Sequence, residues 1–317
     1  MARVGLLFPG QGAQTPGMCK SVIEEFPAAR EVLQRADEAL DIPLETICME
    51  GPEERLKRTD VSQPAILAIS MAVLEAVRAE GADLSDATVV GAAGLSLGEY
   101  TALTAAGSME LEEAVRLVSR RGSYMQEACD QNPGTMYSII GLDAEDVEKA
   151  CEQARETTEK GVWPANYNCP GQIVISGDVD AAAEAAELCQ ERGARRAIQL
   201  KVAGAFHSEF MEPAAEKLYA ELKRTDFTAP TYPVVSNVTA QPGEGPEEIR
   251  ELLRRQLTSP VRWQEGMEWF LEHDVNQFYE IGPGRVLRGL LRRIDRDADC
   301  TSVRDADGVR QMAEDVG

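Results

Sequence analysis

Ser96 stands in Gly94-Leu95-Ser96-Leu97-Gly98, with the apolar run Thr88 to Ala93 before it and the helix-forming run Glu99 to Ala106 after it. A serine on a tight strand-to-helix turn needs small neighbours, because side chains there collide as the chain reverses, and the turn lifts the hydroxyl clear of the sheet. Gly94 and Gly98 supply that space. The helix that follows aims unpaired N-terminal amides and its positive dipole end at the serine, so the Leu97 amide is placed to receive an oxyanion. Ser96 therefore reads as an acyl-accepting nucleophile. Its hydroxyl needs a base, usually a neutral imidazole, and the chain contains two histidines. His273 follows Trp269-Phe270-Leu271-Glu272 and precedes Asp274, the charged end of a helix where a histidine complements the dipole. His207 lies in Val202-Ala203-Gly204-Ala205-Phe206-His207-Ser208, at the end of a predicted strand, and is assigned as the base. An imidazole free in water titrates near about 6.5, so acylation of Ser96 is expected to fall around that pH as His207 protonates.

A third candidate element is the loop Pro9-Gly10-Gln11-Gly12-Ala13-Gln14, which follows the predicted strand Val4 to Phe8 and presents backbone amides. A dinucleotide fingerprint would require glycine where Thr15 stands, and no lysine-bearing phosphate loop occurs, so nucleotide binding has no support.

These motifs, Phe8-Pro9-Gly10-Gln11-Gly12-Ala13-Gln14, Gly94-Leu95-Ser96-Leu97-Gly98-Glu99-Tyr100 and Gly204-Ala205-Phe206-His207-Ser208, resemble those of the malonyl-CoA:acyl carrier protein transacylases. The resemblance continues in order through Arg120-Arg121-Gly122, Asn166-Tyr167-Asn168-Cys169-Pro170-Gly171-Gln172, Ser259-Pro260-Val261-Arg262-Trp263 and Glu280-Ile281-Gly282-Pro283-Gly284. It implies transfer of a malonyl group from malonyl-CoA to the phosphopantetheine thiol of an acyl carrier protein, through a malonyl-serine and without a cofactor. It further implies that the Gln11 amide joins Leu97 in the oxyanion hole and that Arg121 binds the malonyl carboxylate. Met125, Phe206 and Asn166 would line the acyl site, and the backbone carbonyl of Gln256 would orient His207. One departure is Leu95, where the family usually has histidine before the nucleophile. Without the resemblance, Arg121 on the predicted helix Glu110 to Gln126, beside Arg116 and Arg120, would read as part of a basic surface. An acyl-thioester hydrolase or a polyketide acyltransferase on the same scaffold, or a non-catalytic carrier-docking module, are the alternatives.

The elements that must position these residues follow from periodicity. Residues 1 to about 130 alternate short apolar strands with amphipathic helices such as Gln63 to Ala79, which implies a parallel sheet. From Gly134 the pattern is Thr135–Leu142 strand, Ala144–Thr157 helix, Val162–Asn166 and Gln172–Gly177 strands, Val179–Arg192 helix and Arg196–Val202 strand, the order of a ferredoxin-like unit. The expected architecture is α/β: a large serine-hydrolase-like domain of residues 1–133 and 204–317, with an inserted ferredoxin-like α+β domain of residues 134–203 and the site in the cleft between them. Thr231–Ser236 and Gln277–Ile281 are further predicted strands, Ile249–Leu257 a helix, and the charged residues after Asp295 are expected to fray.

Composition bounds the partners. Seven well-separated cysteines match no zinc spacing, and no secretory or membrane-spanning pattern opens the sequence, so neither metal nor disulfide is expected and the chain is assigned to the cytoplasm as a monomer. A formal net charge of −22 argues against nucleic acid. Carrier proteins of the resembling family are acidic, so docking would need a local basic patch, for which Arg195 with Arg196, Arg254 with Arg255, and Arg288 with Arg292 and Arg293 are the candidates.

Overall fold

The computed structural model describes residues 3–85, 87–275 and 277–317. The chain opens with β1 (Val4–Phe8) and five helices, α1 (Lys20–Glu25), α2 (Pro27–Leu40), α3 (Leu44–Glu50), α4 (Glu53–Lys57) and α5 (Thr59–Ala79). It continues through β2 (Val89–Gly94), α6 (Leu97–Ala105) and α7 (Leu111–Gln131) into β3 (Thr135–Ile140), α8 (Ala144–Thr158), β4 (Val162–Cys169), β5 (Gln172–Gly177), α9 (Val179–Glu191) and β6 (Arg196–Gln199). A short 3-10 turn (Glu209–Met211) leads to α10 (Glu212–Leu222), β7 (Val234–Val235), α11 (Pro246–Gln256), α12 (Trp263–Glu272), β8 (Gln277–Ile281), α13 (Val286–Ile294), β9 (Asp299–Val303) and α14 (Ala306–Val316).

Two sheets result. One is five-stranded and parallel, in the order β7-β2-β1-β8-β9; the other is four-stranded and antiparallel, in the order β4-β5-β3-β6. Strands of a parallel sheet are covered on both faces, so neighbouring residues must both be apolar. In β1, Leu6 and Phe8 enter a core built with α2, α5 and α7, while Leu7 enters a second cluster with Trp263, Phe270, Phe278 and Leu287. The antiparallel sheet packs its own cluster, including Ile139, Val147, Ile175 and Ala185, against α8 and α9.

Helix α5 is apolar nearly all round, as a helix enclosed by other elements must be. It has the length and apolarity of a membrane span, but 89% of its most apolar stretch is buried within the fold. It starts at Thr59, four residues before the start expected from the periodicity, despite Pro64. A proline inside a helix leaves the carbonyl four residues earlier without its donor. Here Ser119 Oγ of α7 donates to the Asp60 carbonyl at 3.1 Å and so supplies the missing donor.

Other expectations are corrected by packing. The strand expected to reach Val202 ends at Gln199, opposite Tyr137 of β3; one more backbone bond follows, from the Leu200 N–H to the Met136 carbonyl at 2.9 Å. His207 therefore sits in a loop eight residues beyond the strand, not at its end. The strand expected over Thr231–Ser236 shrinks to Val234–Val235, since Pro233 has no N–H to give a ladder; its carbonyl still accepts the Ala92 N–H at 2.8 Å. The segment after Asp295 does not fray. It forms β9 and α14, whose Val309, Met312, Ala313 and Val316 recur at helical spacing and are buried, with Asp305 capping the helix through Gly308 N–H.

The ends of β1 and β2 lie side by side, Phe8 opposite Gly94, so the loop carrying Gln11 and the turn carrying Ser96 both leave the same edge of the sheet. Ligand sites of open parallel sheets gather at these carboxyl ends. A Cβ built on Gly94 would overlap the backbone of Gly98, and one on Gly98 the carbonyl of Phe8. Gly94→Ala should consequently lower stability by about 3 kcal/mol or more, since neither neighbour is a side chain that can rotate away; chemical denaturation should read this as a lowered midpoint, and a wild-type midpoint would show that the turn can open without cost.

Candidate active site

Ser96 has φ 53° and ψ −99°, a left-handed backbone that is strained for any residue with a side chain. Such strain, of order 1–3 kcal/mol, persists only where the surroundings over-determine it. Here the Ser96 N–H donates to Asn237 Oδ1 at 2.7 Å, and the Ser96 carbonyl accepts from Gln256 Nε2 at 2.9 Å. Asn237 in turn donates from Nδ2 to the Gly94 carbonyl at 2.8 Å, which ties both ends of the turn to one side chain.

The hydroxyl of Ser96 meets His207, whose Nε2 lies 2.9 Å from Ser96 Oγ, while its Nδ1 lies 2.8 Å from the Gln256 carbonyl. A carbonyl only accepts, so Nδ1 carries the proton and donates, leaving Nε2 to accept from the serine hydroxyl. The imidazole is thus in the tautomer a general base requires. His207 also has a positive φ, 58°, and is 5% exposed. Burial first, and then the charge of Arg121, push its pKa down to about 4, against the opposing pull of the Gln256 carbonyl. The fall in activity expected near 6.5 from an unperturbed imidazole is corrected accordingly. Desolvation disfavours the imidazolium, so His207 stays neutral well into acid. His273 is exposed, caps α12, bonds the Trp269 carbonyl and stacks on its indole, far from this chemistry in role as expected.

Arg121 projects from α7 to the same place, 1% exposed. Its Nη2 donates to Ser96 Oγ at 3.0 Å and to Gln256 Oε1 at 3.0 Å, and its Nη1 to Gln63 Oε1 at 2.7 Å. The guanidinium also lies over the Tyr100 ring, 5.2 Å from its centroid. Of five N–H donors, three are used and two, including the buried Nε–H, have no acceptor among the described residues. Buried donors of a charged group are costly to leave unpaired, and an anion is the acceptor that would pair with them best.

Leu97 is the first residue of α6, so its N–H has no intrahelical acceptor, and none is provided elsewhere among the described residues. Gln11 follows β1 in an exposed turn held against the elbow, where the Leu95 N–H donates to the Phe8 carbonyl at 3.2 Å. Leu95 packs among the apolar side chains beneath the sheet, a position a histidine would fill with a polar ring. Met125 is buried and its sulfur accepts from Gln63 Nε2, so it is linked to Arg121 through one glutamine. Phe206 is buried beside His207 in sequence, and Asn166 lies on β4, where its backbone bridges Val261. Among the described residues no hydrogen bond joins Asn166, Met125 or Phe206 directly to Ser96.

Sequence reasoning passed over Glu99, Asn237 and Gln63. Glu99 is 3% exposed, and burial holds its carboxyl up to about 7 against the hydrogen bonds from Gln256, Asn237 and Ser236 and the charge of Arg121. Asn237 follows a parallel strand, a place where polar residues commonly serve a site, and Gln63 is a fully buried polar residue of α5.

The profile of the acyl transferase domain family matches residues 6–311. The malonyl CoA-acyl carrier protein transacylase of Bacillus subtilis (strain 168) is 43% identical over 311 residues, covering 98% of this chain and 96% of that protein. That of Escherichia coli (strain K12) is 42% identical over 294 residues, 93% of each chain. Among solved structures, the acyl-carrier-protein S-malonyltransferase of Bartonella henselae superposes with a TM-score of 0.95 at 42% identity and covers the whole of both chains. A malonyl-transacylase solved in complex with a type II polyketide acyl-carrier protein does so with a TM-score of 0.95 at 39% identity, over 99% of this chain and 100% of that one.

The shifted imidazole is directly measurable because the chain has two histidines. In a ring-selective NMR titration, the His207 resonances should stay those of a neutral imidazole down to about pH 5 and move only near 4. A midpoint near 6.5 would mean that water reaches the ring.

Proposed function

Because this chain belongs to the acyl transferase family, we propose that it moves a malonyl group from malonyl-CoA to the phosphopantetheine thiol of an acyl carrier protein, through a malonyl ester on Ser96. The observation that carries this reading is Ser96 Oγ held between His207 Nε2 at 2.9 Å and Arg121 Nη2 at 3.0 Å. It joins a nucleophile and its base to a buried cation with spare donors. In the first half-reaction His207 takes the hydroxyl proton as Ser96 Oγ attacks the thioester carbonyl carbon. The oxyanion lies on the Leu97 and Gln11 amides. The carbonyl re-forms, the C–S bond breaks, and the imidazolium gives its proton to the departing CoA thiolate. In the second, His207 takes the proton of the carrier thiol, whose sulfur attacks the malonyl ester, and the same proton returns to Ser96 Oγ. No cofactor enters either balance.

Arg121 binds the malonyl carboxylate through its spare N–H groups, a planar fork that matches a carboxylate as lysine cannot. Met125, Phe206 and Asn166 bound the acyl site, and Phe206 beside the base limits bulk at the carbon bearing the carboxylate. The parallel sheet belongs to a large serine-hydrolase-like domain, residues 1–133 and 204–317. The antiparallel sheet, in which β4-β5-β3-β6 is the strand order of a ferredoxin-like unit, belongs to an inserted domain of residues 134–203. The enzyme works in the cytoplasm as a monomer. Its partner is an acidic carrier, for which Arg292, Arg293 and Arg296 around a 590 Å³ surface cavity on α13 offer local positive charge against the net −22.

Incubation with malonyl-CoA and no acceptor should yield a protein heavier by one malonyl group on Ser96 by intact mass, persisting until a carrier thiol is added; rapid loss to water would make the protein a hydrolase instead. Ser96→Ala should form no acyl-enzyme and His207→Ala should form it slower by several orders of magnitude. Arg121→Ala should cut malonyl loading by about ten- to a hundredfold or more, and acetyl loading by less, with Arg121→Lys a partial rescue. Equal losses for both acyl groups would remove Arg121 from carboxylate recognition.

A further inference from the structure

Glu99 takes no part in the steps above, yet its carboxylate is buried at the centre of the groups that do. Glu99 Oε2 accepts from Gln256 Nε2 at 2.6 Å and from the Asn237 N–H at 3.1 Å. The Gln256 amide has its other end, Oε1, on Arg121 Nη2 at 3.0 Å, and the Gln256 backbone carbonyl holds His207 Nδ1 at 2.8 Å. Asn237 holds the Ser96 N–H. Each clamp on the nucleophile, the base and the cation therefore runs back to one carboxylate. A neutral group of the same shape would accept the same hydrogen bonds; what only Glu99 adds is a negative charge, facing Arg121 and the imidazolium that must form twice in each cycle.

We propose that Glu99 is a positioning residue for the acyl transfer: its charge, acting through Gln256, keeps Arg121 and the Gln256 carbonyl aligned and stabilises the His207 imidazolium in both half-reactions. The role rests on the acyl-serine reading of the site.

The groups facing Glu99 decide its pH behaviour. From α7 comes Arg121, the charged side chain opposite it; from α11, Gln256; from the segment after β7, Ser236 and Asn237; from the loop before α10, His207 beyond Gln256. Tyr100, next to it on α6, is pushed up to about 12 by burial and stays neutral. Glu99 is held up to about 7, so it gains its proton as the pH falls through neutrality, while His207 remains neutral until about 4. Protonation removes the charge and slows the reaction without stopping it.

The test is single-turnover malonylation of Ser96 at saturating malonyl-CoA, across roughly pH 4 to 9, for wild type, Glu99→Gln and Glu99→Ala, with folding checked by circular dichroism. Wild type should fall in two steps, a partial one near 7 and a complete one near 4. Glu99→Gln should lack the upper step and run about tenfold below wild type at about pH 8, a loss of rate at saturation that more malonyl-CoA does not restore. Glu99→Ala should be at least as slow. A glutamine variant with wild-type rate and an unchanged upper step would reduce Glu99 to a structural hydrogen-bond acceptor. Should the variants not fold, a wild-type profile without a step between about pH 6 and 8 overturns the role equally. A wild type that forms no malonyl-enzyme would instead overturn the acyl-transfer reading, and the Glu99 role with it.

Discussion

Gln256 ends α11 with none of its surface exposed, and four groups of the site depend on it. Helix C-termini leave carbonyls without intrahelical donors, and this one is spent on His207 Nδ1. The side chain then uses both ends of its amide: Nε2 gives to the Ser96 carbonyl and to Glu99, and Oε1 receives from Arg121. A primary amide offers donor and acceptor in one plane. A glutamate there would set two carboxylates against each other at hydrogen-bond distance, and a hydrophobic residue would strand Arg121 and Glu99 as opposite charges with no bridge. Interaction in such a network exceeds the sum of its pairs, because each bond holds the next in line.

The tight turn at Ser96 was legible because its cause is local. Two glycines around a serine between a strand and a helix can be read within a short window, and the backbone at Ser96 is the one that window implies. His207 was singled out by scarcity, since the chain offers two imidazoles, and its ring does meet Ser96 Oγ, although the expected strand end proved to be a loop. The Gln256 carbonyl came from the family resemblance and not from any rule of helix pattern. Asn237 and Gln63 were missed because their roles exist only when segments distant in sequence meet: Asn237 reaches back 141 positions to Ser96, and Gln63 reaches forward 58 to Arg121. The ordered C-terminus was misjudged on charge, when the buried stripe of Val309, Met312 and Val316 should have outweighed it. The depressed pKa of His207 was beyond sequence altogether, being set by burial and by an arginine from helix α7.

The surface and the site obey opposite electrostatic rules. Outside, most ion pairs are exposed, such as Arg310 with Glu25 and Lys57 with Glu53, and contribute little each. The net charge of −22 is therefore chiefly a property of the solvated shell. Inside, one guanidinium, one carboxylate and one imidazole share a small water-poor volume, where a single added charge alters every neighbour. The Arg121 guanidinium, buried with its Nε–H unpaired among the described residues, is the part of that volume most open to such a change.

The sheet order β7-β2-β1-β8-β9 has a consequence for how the chain is made. β1, the central strand, completes its pairing only when β8 exists, and Ser96 waits for His207, Asn237 and Gln256. Synthesis runs from the N-terminus, so a ribosome holding the first two hundred residues or so displays a serine with no base, no clamp and no reason to adopt a strained turn. Reactivity toward thioesters appears only with the last third of the polypeptide, and it appears as a property of the assembled fold at once.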